Sequence, residues 1–192
     1  MPWAPSTPRG IATHGRILDA ATVEFAERGL AGARMERITA AAKANKAQVY
    51  SYFHSKEGLF DAVIARCVDD TTDGVPFDAD DLPSWAVALY DRHLHQPELT
   101  RLIAWTRLER RPTGRWFDGD SYDPKLAAIV AAQAAGRLRA GDPLDLMVLI
   151  IAMASAWSPA SSVYTATVDE SDAVHDQRRE LLRDAVARVI TP

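Results

Sequence analysis

An all-α fold follows from three observations. Apolar residues recur at helical spacing through most of the 192 residues, no run of alternating apolar and polar residues rich in Val, Ile and Thr is present, and helix start and stop signals punctuate the chain. Apolar residues make up 47% and charged residues 25%, a balance that supports a sizeable core. The single cysteine, Cys67, cannot close an internal disulfide, so a stapled secreted scaffold is excluded and a reducing compartment, the cytoplasm, is expected. The opening MPWAPSTPRG carries three prolines and no apolar signal core, and residues 1–12 are expected to form a disordered arm. The longest apolar stretch, Leu146 to Trp157, is 12 residues and contains Ser155. A membrane span needs roughly 18, so no membrane partner is expected.

The elements follow in order. From Thr13 to Arg28, Ile17, Leu18, Ala21 and Phe25 share one helical face, and Gly29-Leu30 supplies a stop. A second helix runs from Met35 to about Ala42, and Asn45 can cap a third from Lys46 to Phe53. Ser55 opens a fourth, carried by Leu59, Phe60, Val63, Ile64, Cys67 and Val68. After Asp69 the composition shifts to TTDGVPFDADDLP, which reads as a loop. Helices are then predicted over Leu82–Leu94, Pro97–Arg111, Pro124–Ala140, Pro143–Ser158 and Ser171–Ile190. Asp123-Pro124 and Asp142-Pro143 each place an N-cap aspartate before a proline whose missing N–H costs nothing at that position.

Charge is uneven. Through residue 56 there are eight Lys/Arg against four Asp/Glu, a net of +4, whereas the remainder holds 14 basic and 22 acidic residues, a net of −8. A basic head on an acidic body fits a small surface that meets a polyanion. Residues 35–53 have the layout that such a surface would use: a helix, a break at Lys43, Ala44 and Asn45, and a second helix. Val49 and Phe53, four apart, face inward and leave Lys46, Ala47, Gln48, Tyr50 and Ser51 on the outer arc. Lysine and tyrosine reach phosphates, glutamine pairs with adenine, and small residues admit the helix to the major groove. Arg34 and Arg37 before it and Lys56 after it are placed to hold the backbone on either side. A plain helical corner with a solvated face is the competing reading, and Gln48, three after Asn45, could instead close a capping box.

Ile17-Leu18-Asp19-Ala20-Ala21, Phe25-Ala26-Glu27-Arg28-Gly29, Ile38-Thr39-Ala40-Ala41-Ala42 and the run from Val49 to Phe60, VYSYFHSKEGLF, resemble the N-terminal domain of the tetracycline-repressor (TetR) family of transcriptional regulators. The resemblance covers about residues 13–64. It implies a three-helix DNA-binding domain over 13–56 and a helical ligand-binding and dimerisation domain over 57–192. By the same resemblance Lys46, Ala47, Gln48 and Ser51 lie toward base edges, Tyr50 and Lys56 contact phosphates, and Val49, Tyr52 and Phe53 pack the small core. The chain departs from the family by having Ala33-Arg34 where Thr or Ser usually opens the second helix, Glu36 where an Arg is frequent, and Lys43 where Gly is frequent in the turn. Lys43 is therefore expected to adopt a strained turn conformation.

In the C-terminal region Trp85, Tyr90, Trp105, Trp116, Phe117 and Met147 would suit a mostly apolar pocket for an apolar or aromatic effector. Ordinary core packing is the alternative for each. The apolar helix at Leu144–Trp157 and the last helix, through Ile150, Leu181, Leu182, Val186 and Val189, are expected to pair with a second copy, as the resemblance implies. The partners expected are thus double-stranded DNA, a small-molecule effector and a second chain, with no cofactor. The residues admit two further classes. Asp69, Asp70 and Asp73 match the Asp-Asp-x-x-Asp pattern of magnesium-dependent all-α synthases, but no second metal motif accompanies it. A helical adaptor that does not bind DNA leaves the basic head unexplained. His93 and His95, two apart, fall on different helix faces and make no metal pair.

Overall fold

The computed structural model describes residues 7–110 and 122–192, with the side chains of 68–73 left aside. Among the described residues every regular element is helical: α1 Pro8–Gly32, α2 Met35–Ala41, α3 Lys46–Phe53, α4 Lys56–Asp73, α5 Leu82–His95, α6 Pro97–Arg110, α7 Asp123–Ala134, α8 Pro143–Ala154 and α9 Asp172–Ile190. They form two compact units, Met1–Val68 with Glu98–Gly114, and Asp69–Pro97 with Arg115–Pro192.

The first unit holds α1 to α3, most of α4, and α6 apart from Pro97. Its first helix starts five residues before the predicted Thr13. Thr7 Oγ1 accepts the Gly10 N–H at 3.1 Å and Pro8 fits the first position, so residues 8–12, expected in a disordered arm, are helical. Gly29 is a kink rather than a stop: at φ 65° it turns the chain, and one more turn follows to Gly32. The sequence offers no local reason for that extra turn, which comes from α6. Glu109 Oε1 accepts the N–H groups of Leu30 (3.0 Å) and Ala31 (3.4 Å) that the kink exposes. A Cβ on Gly29 would stand 2.6 Å from that oxygen and 2.8 Å from the Trp105 ring. The core joins Ile17, Phe25, Ile38, Val49, Phe53, Leu59 and Phe60 with Leu99 and Leu102 of α6, and the Phe25 and Phe60 rings meet edge to face at 5.0 Å. The unit therefore reaches beyond residues 13–56, because the head's apolar surface is closed by α4 and α6. α4 itself continues past Asp69 to Asp73, ending only where Gly74 interrupts it.

The second unit holds α5, α7, α8 and α9 around Leu82, Trp85, Tyr90, Ile129, Met147, Ile150, Leu182 and Val186. Asp81 caps α5 through the Ser84 N–H (3.1 Å), and Asp142 caps α8 through Leu144 N–H (2.7 Å), as Asp142-Pro143 predicts. Asp123-Pro124 behaves differently: Asp123 is already helical and Tyr122 holds the cap position without a side-chain bond. α7 stops at Ala134, six residues short of prediction. Gly136 at φ 71° ends it, with Gly136 N–H bonded to Gln133 C=O (3.0 Å) and Arg137 N–H to Ala132 C=O (3.0 Å). α8 stops at Ala154, where Ser155 Oγ turns back onto Ile151 C=O at 2.7 Å.

Candidate nucleic-acid interface

The helix pair α2–α3 is joined through Ala42 to Asn45. Lys43 takes φ 50°, the left-handed conformation expected of a turn position without glycine. Ala44 N–H reaches back to Thr39 C=O (3.0 Å), and Arg16 Nε of α1 donates to Ala42 C=O (3.2 Å), so the turn is held from both sides. α3 opens with a complete capping box: Asn45 Oδ1 accepts Gln48 N–H (2.8 Å) and Gln48 Oε1 accepts Asn45 N–H (3.1 Å). Of the two roles open to Gln48, the cap is the one it fills in this structure.

Val49, Tyr52 and Phe53 are buried, while Lys46, Ala47, Gln48, Tyr50 and Ser51 are all exposed, as the spacing predicts for all but Tyr52 and the resemblance implies for Tyr52. Behind the helix, the His14 ring of α1 stacks on Phe53 at 4.8 Å and meets Tyr52 edge-on at 5.6 Å. Burial, with the nearby charge of Arg66, holds His14 below the usual histidine range and so favours the neutral ring among these aromatics.

The flanking cations are more committed than the sequence implies. Arg34 is exposed at the start of α2, and Glu36 has its side chain outward as well. Arg37 Nε donates to Glu24 Oε1 (2.7 Å) and its Nη2 to Gly32 C=O (3.0 Å). Burial alone would raise the Glu24 pKa, but the Arg37 bond, the Arg34 N–H and the charges of Arg37 and Arg28 outweigh it, leaving the carboxyl below the ordinary glutamate range. Lys46 Nζ lies 3.0 Å from Glu36 Oε1. Lys56 Nζ donates to Ala33 C=O (3.2 Å), and Ser55 Oγ accepts the Gly58 N–H (2.9 Å) at the start of α4. Sequence reasoning missed Glu24, Arg16 and His14, because their partners lie 10 to 39 positions away.

In the second unit Trp85, Tyr90 and Met147 share one buried core, with Trp157 edge-on to Tyr90 at 5.8 Å and the Tyr90 hydroxyl 2.7 Å from His175 Nδ1. Trp105 does not join them. It belongs to the first unit, where its Nε1–H bonds Ala26 C=O at 3.2 Å, because α6 completes the head's core. Trp116 and Phe117 lie outside the described residues. Three residues of the expected pairing face lie inside the unit. Ile150, Leu182 and Val186 are buried inside this unit, because the main apolar stripes of α8 and α9 are spent on packing against α5. Leu181 on α9 is 59% exposed, and on α8 Val148 is 55% and Leu149 46% exposed; Val189 is half-buried. The side chains of Asp69, Asp70 and Asp73 lie outside those described, and among the described residues no three His, Cys, Asp or Glu gather as metal ligands. No described helix is long and apolar enough to cross a membrane.

Residues 17–63 match the family described as bacterial regulatory proteins, tetR family, and residues 81–188 match the tetracyclin repressor-like C-terminal domain. The chain is 35% identical over 183 residues to the HTH-type transcriptional repressor SCO4008 of Streptomyces coelicolor, covering 93% of this chain and 95% of that one. It is 28% identical over 140 residues to the repressor NicS of Pseudomonas putida, 66% of each. Among solved structures, SCO4942 of Streptomyces coelicolor superposes with a TM-score of 0.75 at 35% identity, covering 93% of this chain and 98% of that one. A TetR family regulator from Pseudomonas syringae shares the fold at a TM-score of 0.68 and 22% identity, covering 91% and 94%. The exposed helix-turn-helix face and the separate helical unit are thus those of a regulator rather than an enzyme, and the chain belongs to the TetR family of transcriptional regulators.

Proposed function

We propose that this regulator is a repressor released from a near-palindromic operator by a small apolar or aromatic effector, acting in the cytoplasm. The observation that carries the reading is the division of α3 into a buried side locked by Val49, Tyr52 and Phe53 and a polar, small-residue outer side. Lys46, Ala47 and Ser51 present that side to base edges, with Gln48 engaged in the cap beside them. Arg34, Tyr50 and Lys56 serve phosphates, while Arg37 steadies α2 through Glu24. The effector is received among Trp85, Tyr90, Met147 and Trp157, with Trp116 and Phe117 as further candidates. Two copies pair through Val148, Leu149, Leu181 and Val189, spacing the recognition helices by one or more DNA turns, roughly 34 Å each. An effector that prefers one spacing over the other by about 1 to 3 kcal/mol suffices for regulation.

The test is fluorescence anisotropy on duplexes over a salt series. Tyr50→Ala and Lys56→Ala weaken binding to all sequences, and Lys56→Ala also lowers the slope of log affinity against log salt. Wild-type affinity in both variants would refute the assignment.

A further inference from the structure

The contact between Lys46 at the start of α3 and Glu36 in the first turn of α2 places a carboxylate on the face that meets the duplex. The two side chains are 60% and 70% exposed, and Lys46 Nζ also stands 5.9 Å from the Tyr50 ring. An exposed pair of this kind contributes little to folding, so its consequence is felt where the helix meets charge. We propose that Glu36 is a discrimination residue: it holds down the sequence-independent grip of the head on DNA and so raises the ratio of operator to random binding.

The argument rests on α3 being the helix that enters the groove. Duplex DNA carries a negative charge about every 1.7 Å along its axis, and random binding is almost entirely the attraction of that charge for cations. Glu36 acts against it twice. Its own carboxylate is repelled by phosphates of any sequence, and its bond to Lys46 occupies the one lysine at the tip of the recognition helix. The helix crossing the backbone in a helix-turn-helix is the first of the pair, which brings Glu36 to the groove rim. At a matching site Lys46 exchanges Glu36 for acceptors such as guanine O6 and N7, a gain that random sequence does not supply. The neighbouring Arg37 is withheld in the same manner by Glu24, so two cations of this face are partnered by carboxylates before DNA arrives.

The experiment compares the full wild-type chain with Glu36→Gln on two labelled duplexes, one of random sequence and one enriched from a random library by the wild-type chain. The expected result is binding to the random duplex tightened about 5-fold at low salt, what removing about 1 kcal/mol of opposition yields. The enriched duplex should gain less, and the salt slope should steepen by about 0.9 per head. Glu36→Ser, which keeps a polar group in the first turn of α2 without the charge, should order the duplexes in the same manner and so separate charge from capping. Unchanged binding to random DNA, or equal tightening on both duplexes, overturns the proposal while leaving the regulator reading intact. Failure of the wild-type chain to bind any duplex overturns both.

Discussion

Glu24 of α1 and Arg37 of α2 are bonded at 2.7 Å, Nε to Oε1, and the same oxygen accepts the Arg34 backbone N–H at 3.0 Å. Arg34 sits at the cap position of α2 with no side-chain cap bond, so a carboxylate ten residues earlier does the capping. Glu24 is buried, and cutting it away leaves the first turn of α2 and a half-buried guanidinium without their acceptor.

Glu24→Ala should lower the unfolding free energy by on the order of 2 kcal/mol, read from the urea midpoint. Because the folded carboxyl lies below its ordinary value of 4.5, this stabilisation is present at neutral pH and is lost as pH falls below that value. The variant should show a shallower loss of stability in acid than the wild type.

Asn45→Ala removes one half of the capping box on α3 and should cost about 1 kcal/mol, seen as a lower melting temperature. Gln48→Ala should cost less, since Asn45 can still accept the N–H of residue 48. Its selected base pairs should match those of the wild type in a binding-site selection, because the Gln48 carbonyl is engaged by Asn45 N–H.

His93 of α5 lies 3.2 Å, through Nε2, from Ser155 Oγ, and burial with the charge of Arg92 pushes its pKa from 6.5 to about 4. The ring is therefore neutral in the fold and must be protonated more readily when unfolded. The sign follows: stability holds above pH 6.5 and declines as pH drops from 6.5 toward 4. Urea titrations at pH 7.5 and 5.5 should show that decline in the wild type and a smaller one in His93→Gln.

Leu181→Arg places a charge at an exposed apolar position of α9, away from the unit's own core. Sedimentation should shift from dimer toward monomer with the far-ultraviolet circular dichroism unchanged, and affinity for a palindromic duplex should fall at least 10-fold, as expected when two linked heads become one.

How much of this was legible beforehand depended on the distance over which each feature is decided. The bounds of α3, its Asn45 cap and its buried Val49 and Phe53 follow from local spacing, and the structure reproduces them. The Asp142 cap is equally local. Features set by remote partners were not legible. The extra turn of α1 after Gly29 depends on Glu109, and the capping of α2 depends on Glu24. Three of the residues expected on the pairing face are interior for a related reason: periodicity finds apolar positions on α8 and α9 but does not say which of them α5 will consume. Ile150 and Leu182 are therefore interior while Val148 and Leu181 are not.

The left-handed Lys43 has a consequence for how this head can change. A lysine at φ 50° is the costlier occupant of a conformation that glycine adopts freely. Lys43→Gly would relieve the strain and discard a positive charge from the same turn. Firmness of the fold and attraction to nucleic acid are thus set against each other at a single codon, and a lineage of such proteins could trade one for the other without touching the helix that reads the sequence.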